Sequence, residues 1–309
     1  MTMQEWNRLI NNFAMKDKTN EDSIKADNAV VKAPGMALAG THDEVIRPGA
    51  GKLSQSAATS VGKERCRPLI FIGNDDGFRA GGLAALIDIA SRYGDVVAVA
   101  PYEHQSGKSS AITVDTPLRV HCIKSSLHTM IYSVNGTPVD CAKLAFDRLL
   151  PRTPDLVLSG INHGYNSGNS VIYSGTMGVV FEGSFRGVPS IGFSYGDYMP
   201  DADFTPCVPV AEQIIKDALG GGIAKGVCLN VNIPKCDKVA GVKRVRSAVG
   251  YWKEEFEERV DPHGRVYYWL TGSYHNEEPD NPETDLYWLD RNYATIVPCR
   301  ADQTAYDQL

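Results

Sequence analysis

A mostly parallel α/β sheet with helices on both faces is the fold this 309-residue sequence predicts, on three observations. From Pro68 onward, short apolar runs alternate with helix-spaced segments, the mark of strand–helix–strand units. The first of them, Leu69-Ile70-Phe71-Ile72, is continuously apolar, as a strand buried on both faces requires. A hydrophobic content of 43% over this length is also enough to bury a sizeable core, as one domain with additions.

The elements follow in order. Leu69-Ile70-Phe71-Ile72 predicts the first strand, residues 82–93 a helix, 96–100 a second strand and 112–122 an extended stretch. A strand over 130–134 leads through Asn135-Gly136-Thr137-Pro138 into a helix over 138–150. Those four residues make a turn and a helix cap, and Asp140 suits the first helical turn. Next come a strand over 156–158, a glycine-rich loop, a helix over 175–186, a strand over 190–194, a helix over 208–219 and a strand over 227–233. Beyond Pro234 the character changes. Charged and aromatic residues from 242 to 270, including Tyr251-Trp252-Lys253 and Tyr267-Tyr268-Trp269, predict extended β-hairpins outside the main sheet. Exposed aromatic strands need covering, which suits an oligomer contact.

Residues 1–65 differ from the rest. Trp6, Leu9, Ile10 and Phe13 fall at helical spacing, but the segment that follows is polar and without sustained periodicity; we expect a mobile N-terminal extension. The expected organisation is therefore an extension over 1–65 and one domain over 66–309, with a core over about 68–234 and a hairpin region over about 235–309.

Composition excludes several function classes. With 31 basic and 37 acidic residues the net charge is −6. No Lys/Arg run offers a general nucleic-acid surface, so any phosphate recognition must be local. The seven cysteines are scattered, with no Cys-x-x-Cys pair, which argues against a zinc site or a disulfide framework and for a reducing, cytoplasmic setting. No apolar stretch reaches the span of a membrane helix, and the N-terminus lacks the pattern of a signal peptide.

The most informative segment is Gly73-Asn74-Asp75-Asp76-Gly77, directly after the first strand. In open α/β sheets ligands bind beyond the carboxyl ends of the strands, and two adjacent carboxylates there suit a hard cation. The same residue types also make ordinary solvated turns, and the pentapeptide alone does not separate the two readings. Two further loops are expected at the same edge: Gln105 to Ser110 after the second strand, and Ser159 to Asn166 after the 156–158 strand. Their Asp, Asn and Ser oxygens suit Mg²⁺, Mn²⁺ or Ca²⁺ over zinc or copper. Ser174-Gly175-Thr176 begins a helix, whose free first-turn N–H groups form an anion site. A cation beside an anion cradle means phosphate chemistry.

Other motifs are excluded. Gly73-Asn-Asp-Asp-Gly77 would set two negative charges where a dinucleotide pyrophosphate lies, and neither a P-loop nor a Gly-x-Ser-x-Gly elbow occurs. His104 and His163 flank the expected site and could protonate a leaving group, although loop histidines are more often solvated or structural. Lys108 reads more simply as a solvated lysine than as a phosphate partner. Tyr251, Trp252 and Trp269 suit base stacking and oligomer packing equally.

Six ordered motifs then carry a specific resemblance. Asn74-Asp75-Asp76-Gly77, Ala100-Pro101 to Ser106-Gly107-x-Ser109, Val134-Asn135-Gly136-Thr137-Pro138-x-Asp140-Cys141, Ser159-Gly160-Ile161-Asn162-x-Gly164-x-Asn166, Tyr173-Ser174-Gly175-Thr176 and Asn230-Val231-Asn232-Ile233-Pro234 resemble the SurE family, over about residues 68–304. The late Thr284-Asp285 and Thr295 to Pro298 segments resemble its C-terminal end. The resemblance implies a Rossmann-like fold, homodimers or homotetramers, and hydrolysis of nucleoside 5'- and 3'-monophosphates with one divalent ion, Mg²⁺ or Mn²⁺. Some members also trim short polyphosphate. Carried over by position, it implies metal ligands at Asp75, Asp76, Ser106 and Asn162; we expect Asp75 or Asp76 also to be catalytic, by orienting or deprotonating the attacking water. The resemblance implies phosphate contacts at Asn166, Ser174, Gly175 and Thr176. Gly73, where Thr or Ser is common, and Arg79-Ala80-Gly81-Gly82 depart from the family pattern without touching a ligand. Two other classes stay open: a metal-dependent nucleotide-using transferase, and a metal- or nucleotide-binding protein without turnover.

Overall fold

The computed structural model describes residues 67–309; the expected 1–65 extension, with its helix at Trp6 to Phe13, lies outside the described residues. In chain order the first elements are β1 (Leu69–Gly73), α1 (Gly81–Ser91), β2 (Asp95–Pro101), β3 (Val120–Ser125), β4 (Thr129–Val134) and α2 (Pro138–Leu144). Then come β5 (Leu156–His163), α3 (Gly175–Phe185), β6 (Ser190–Tyr195), α4 (Val208–Leu219), β7 (Cys228–Ile233) and β8 (Gly241–Arg244). The last are β9 (Gly250–Lys253), β10 (Phe256–Val260), β11 (Val266–Leu270), β12 (Ser273–Asn276), α5 (Asp285–Leu289) and β13 (Tyr293–Cys299).

Among the described residues nine strands make the main sheet, in the order β3-β4-β2-β1-β5-β6-β7-β13-β8. The six from β4 to β7 are mutually parallel, while β3 and β13 run antiparallel to their neighbours β4 and β7. Every residue of β1, β6 and β7 is buried, which the unbroken apolar run of β1 requires; β6 and β7 also bury serines and asparagines. Phe71 packs with Cys141 and Ala142 of α2 and Val179 of α3 in one core cluster. Each large side chain buried in this way contributes about 1.5–3 kcal/mol. Helix α1 lies beside α4, tied by the Arg92–Glu212 ion pair at 2.6 Å; α2 lies beside α3.

The topology positions the site. β1 lies between β2, which follows it through α1, and β5, which arrives on its other side after β4 and α2. The carboxyl ends of β1 and β5 therefore flank the crevice where doubly wound sheets bind ligands. Glycine permits the close packing beneath it: a Cβ on Gly82 of α1 would stand 1.9 Å from the Ile161 carbonyl oxygen of β5.

Four elements depart from the sequence expectation. Residues 112–119 pair with no strand, and only Val120–Ser125 joins the sheet edge. The helix expected over 138–150 widens after Leu144 into a turn closed by the Leu150 N–H on the Ala145 carbonyl, five residues back. β5 runs on past Leu158 to His163, its pairing with β6 interrupted between Ser159 and Asn162, where Gly160 adopts φ +117°. Val242, expected outside the main sheet, sits in β8 against β13. That pairing spans some fifty residues of intervening chain, beyond the reach of local periodicity. The hairpin itself stands apart: β9 pairs with β12, and β10 with β11, in two-stranded antiparallel ladders.

Candidate active site

β1 runs directly into the acidic turn. Asn74 Nδ2 donates to the Gly77 carbonyl (2.9 Å), and Gly77 takes φ +94°, a conformation that favours glycine. Three segments converge on the two carboxylates. The Thr176 hydroxyl donates to Asp75 Oδ1 at 2.5 Å, and the His163 backbone N–H donates to Asp76 Oδ2 at 3.2 Å. The Gln105 N–H donates to the Asp75 backbone carbonyl (2.7 Å), drawing in the loop that carries Ser106. Burial and the neighbouring Asp76 charge push Asp75 up to about 6. Burial raises Asp76 too, against the opposing His163 N–H and the His104 imidazole, whose Nδ1 lies 3.4 Å from Asp76 Oδ1. Two adjacent carboxylates stripped of water in this way repel each other, and their donor chemistry fits a hard cation.

The start of α3 is pressed against this pair. A Cβ on Gly175 would lie 2.8 Å from Asp75 Cβ and 2.9 Å from Pro138 Cγ, so only glycine permits the approach. Ser174 Oγ caps the helix by accepting from the Met177 N–H at 3.1 Å. The N–H groups of Gly175 and Thr176 belong to the first turn, which has no intrahelical acceptor. Thr176 is fully buried, with its hydroxyl spent on Asp75.

Asn162 and Asn166 come from the end of β5 and the loop after it. Asn162 Nδ2 donates to the carbonyls of His163 (3.1 Å) and Gly164 (2.9 Å), which leaves Oδ1 as the free oxygen. Asn166 is held by a buried polar network: its N–H donates to Asn232 Oδ1 (2.8 Å), its Nδ2 to Ser194 Oγ (2.9 Å), and its carbonyl accepts from Asn230 Nδ2 (2.7 Å). Sequence reasoning gave Ser194, Asn230 and Asn232 no role. The signal was present, because two asparagines at period two in an otherwise apolar strand must be buried and satisfied. Asp285 was missed likewise. Fully buried, it accepts from the N–H groups of Gly168 and Ala248, both at 2.8 Å, and so ties the 168–173 turn to the root of the hairpin.

Part of this arrangement opens onto a cavity of about 360 Å³; of the expected site residues, Asp76, Gly175 and Thr176 do not line it. Asp75, Ser106, Asn162, Asn166 and Ser174 line one end, while Trp252, Glu255, Leu270 and Thr271 of the hairpin line the other, with Tyr165 and Tyr173 also at its surface. Among the described residues no three His, Cys, Asp or Glu side chains gather as a metal cluster, here or elsewhere. His163 packs edge-on against Phe204 at 5.1 Å, and burial pushes its imidazole down. Lys108 is exposed. Tyr251 packs against His275 at 5.3 Å, and neither Tyr251 nor Trp269 lines the cavity.

Comparison with known proteins agrees with this architecture. The family model described as Survival protein SurE matches residues 70–254. The chain is 45% identical over 244 residues to the 5'-nucleotidase SurE of Christiangramia forsetii, covering 78% of this chain and 94% of that protein. It is 38% identical over 240 residues to the 5'-nucleotidase SurE of Protochlamydia amoebophila, covering 75% and 90%. The crystal structure of the SurE protein from Aquifex aeolicus superposes with a TM-score of 0.68 at 33% identity, covering 78% of this chain and 97% of that one. A family match over more than half the sequence, joined to identity and fold over three quarters of it, means that the chain belongs to the SurE family.

Proposed function

We propose that this chain is a 5'-nucleotidase that uses one divalent ion, Mg²⁺ or Mn²⁺, to hydrolyse nucleoside 5'- and 3'-monophosphates to nucleoside and phosphate. The observation that carries the reading is the Asp75–Asp76 pair, with Asp75 buried and the Asp76 side chain only 6% exposed, against which the first turn of α3 packs through Gly175. In this reading Asp75, Asp76, Ser106 and Asn162 hold the ion through oxygen atoms, a set that fits a hard cation. When bound, such an ion neutralises phosphoryl oxygens and makes water more acidic.

The chain's own residues supply the rest. The first-turn N–H groups of Gly175 and Thr176, with Ser174 and the Asn166 amide, hold the phosphoryl oxygens as the ester bond breaks. Asp75 or Asp76 orients the attacking water and takes its proton. Preorganisation comes from the buried network behind Asn166, which no substrate has to pay to assemble. The exposed aromatic β10–β11 hairpin serves an oligomer contact, as a homodimer or homotetramer. Among the described residues no helix is long and apolar enough to cross a membrane, and we place the protein in the cytoplasm.

The test is phosphate release from a panel of 5'- and 3'-nucleoside monophosphates and short polyphosphate, with Mg²⁺, Mn²⁺ or EDTA. We expect metal-dependent release that falls at least about a hundredfold in Asp75→Asn. Full activity in EDTA, or in that variant, would sink the mechanism.

A further inference from the structure

The cavity's far end carries a second inference, which rests on the nucleotidase reading and names what the site recognises besides phosphate. Among the described residues, none lining the cavity is a lysine or arginine. Beyond Asp75 and the polar groups beside it the walls include Trp252, Leu270, Tyr165 and Tyr173, with the Glu255 carboxylate among them. A chain of further phosphates would meet an anion and apolar rings there. A flat, neutral aromatic group would meet a stacking surface.

Trp252 is built into place. In the β9–β12 ladder it stands opposite Tyr274, and the two rings pack edge to face at 5.8 Å. The Tyr274 hydroxyl accepts from the Asn169 N–H at 3.1 Å, and Asn169 Nδ2 donates to the Gly250 carbonyl at 2.8 Å. Gly168 makes the seat, because a Cβ there would lie 2.5 Å from the Tyr274 hydroxyl. The neighbouring pair Tyr251 and His275 points to the other face of the same ladder, as strand alternation demands. Trp252 remains 38% exposed, on the cavity. The ring is thus fixed relative to the 168–173 turn that lies between Asn166 and Ser174, and so to the phosphate end of the site.

We propose that Trp252 is the nucleobase platform of this enzyme. It stacks the base of a nucleoside monophosphate whose phosphate lies at the start of α3, and so favours nucleotides over phosphate esters without a base and over polyphosphate.

The test uses the full chain and two readouts. Adenosine, which has no phosphate, is titrated calorimetrically against wild type, Trp252→Phe and Trp252→Ala in the absence of metal. Steady-state phosphate release is then compared for AMP and ribose 5-phosphate. We expect adenosine to bind wild type and the Phe variant and to bind Trp252→Ala at least about tenfold more weakly, the scale of one lost base–aromatic stack. The ratio of kcat/KM for AMP to that for ribose 5-phosphate should fall by a similar factor. Adenosine binding that is undetectable in wild type, or equal in wild type and Trp252→Ala, overturns the platform. So does an unchanged AMP to ribose 5-phosphate ratio. Adenosine binding lost in Trp252→Ala, with no phosphate released from AMP by wild type, would instead overturn the nucleotidase reading and leave the platform standing.

Discussion

The two ends of the cavity are built by opposite means. At the sheet end, carboxylates and amides are buried, each held by backbone or by another buried side chain, and glycines bring helices closer than any Cβ allows. At the hairpin end the residues of β10 and β11 are all exposed, and order comes from a few anchors at the root: Asp285, Asn169 and Tyr274. The difference separates two tasks. Bond breaking needs groups that do not reorganise, whereas recognising a partner or a base needs reachable surface. Substitutions at the sheet end should act on rate, and those at the hairpin end on selectivity or association.

The sharpest way to break this contrast is Gly175→Ala. The added Cβ would meet Asp75 and Pro138 at 2.8–2.9 Å, so α3 or the carboxylate must move. A displacement approaching 1 Å costs about a hundredfold in rate. We therefore expect phosphate release to fall by about that factor while far-UV circular dichroism stays the same. Activity above about a tenth of wild type would show that the helix start yields more easily than its packing indicates.

Asn232→Leu probes the same end one layer deeper. The substitution keeps the branched shape, though with bulkier methyl groups, and leaves the buried Asn166 N–H without its acceptor, a cost of about 1–3 kcal/mol. Because Asn166 is also a proposed phosphate contact, turnover should drop about tenfold to a hundredfold. Chemical denaturation and initial rates on one preparation read both effects. A stability loss without a rate loss would detach the network from catalysis.

Asp140 tests the support beneath α2. Its carboxylate accepts from the Thr137 N–H (2.9 Å), the Thr113 N–H (3.0 Å) and the Thr113 hydroxyl (2.6 Å), while the Thr137 hydroxyl accepts from its N–H. Burial pushes the carboxyl up, but these hydrogen bonds outweigh it and hold Asp140 below the ordinary value. A depressed carboxyl stabilises the fold above its unfolded pKa, and that contribution fades as pH falls through the folded one. Asp140→Asn should cost about 1–2 kcal/mol at pH 7. The gap in Tm to wild type should narrow as the pH is taken below 4. A gap independent of pH would mean that the charge contributes nothing.

How much of this was legible in the sequence follows the same divide. The central strands and the acidic turn were readable because continuous burial and turn chemistry are local properties: Leu69 to Ile72 and Asp75-Asp76 stand where the pattern put them. The capping box at Thr137 was visible in its residues, yet the bonds from Asp140 to Thr113 join segments 27 residues apart and were not. The place of β13 between β7 and β8 depends on pairing across the hairpin, and Asp285 shows its purpose only once Gly168 and Ala248 are brought to it. Trp252 and Trp269 looked alike as aromatic residues in a hairpin. Register and the cavity distinguish them.

Trp269 accordingly gives the smallest expected effect on the monomer and the sharpest test of the hairpin. On β11 it adjoins Leu270, which lines the cavity, and alternation along the strand turns Trp269 to the opposite side. It is 55% exposed and stands opposite Glu257 of β10. Replacing it with Ser removes apolar surface that water already touches, so the folding free energy should change by no more than about 0.5 kcal/mol. Sedimentation velocity should show a shift toward smaller species, because an exposed aromatic face contributes to association through the area it buries there. An unchanged oligomer in Trp269→Ser would leave this face of the hairpin without its proposed role and move the subunit contact elsewhere.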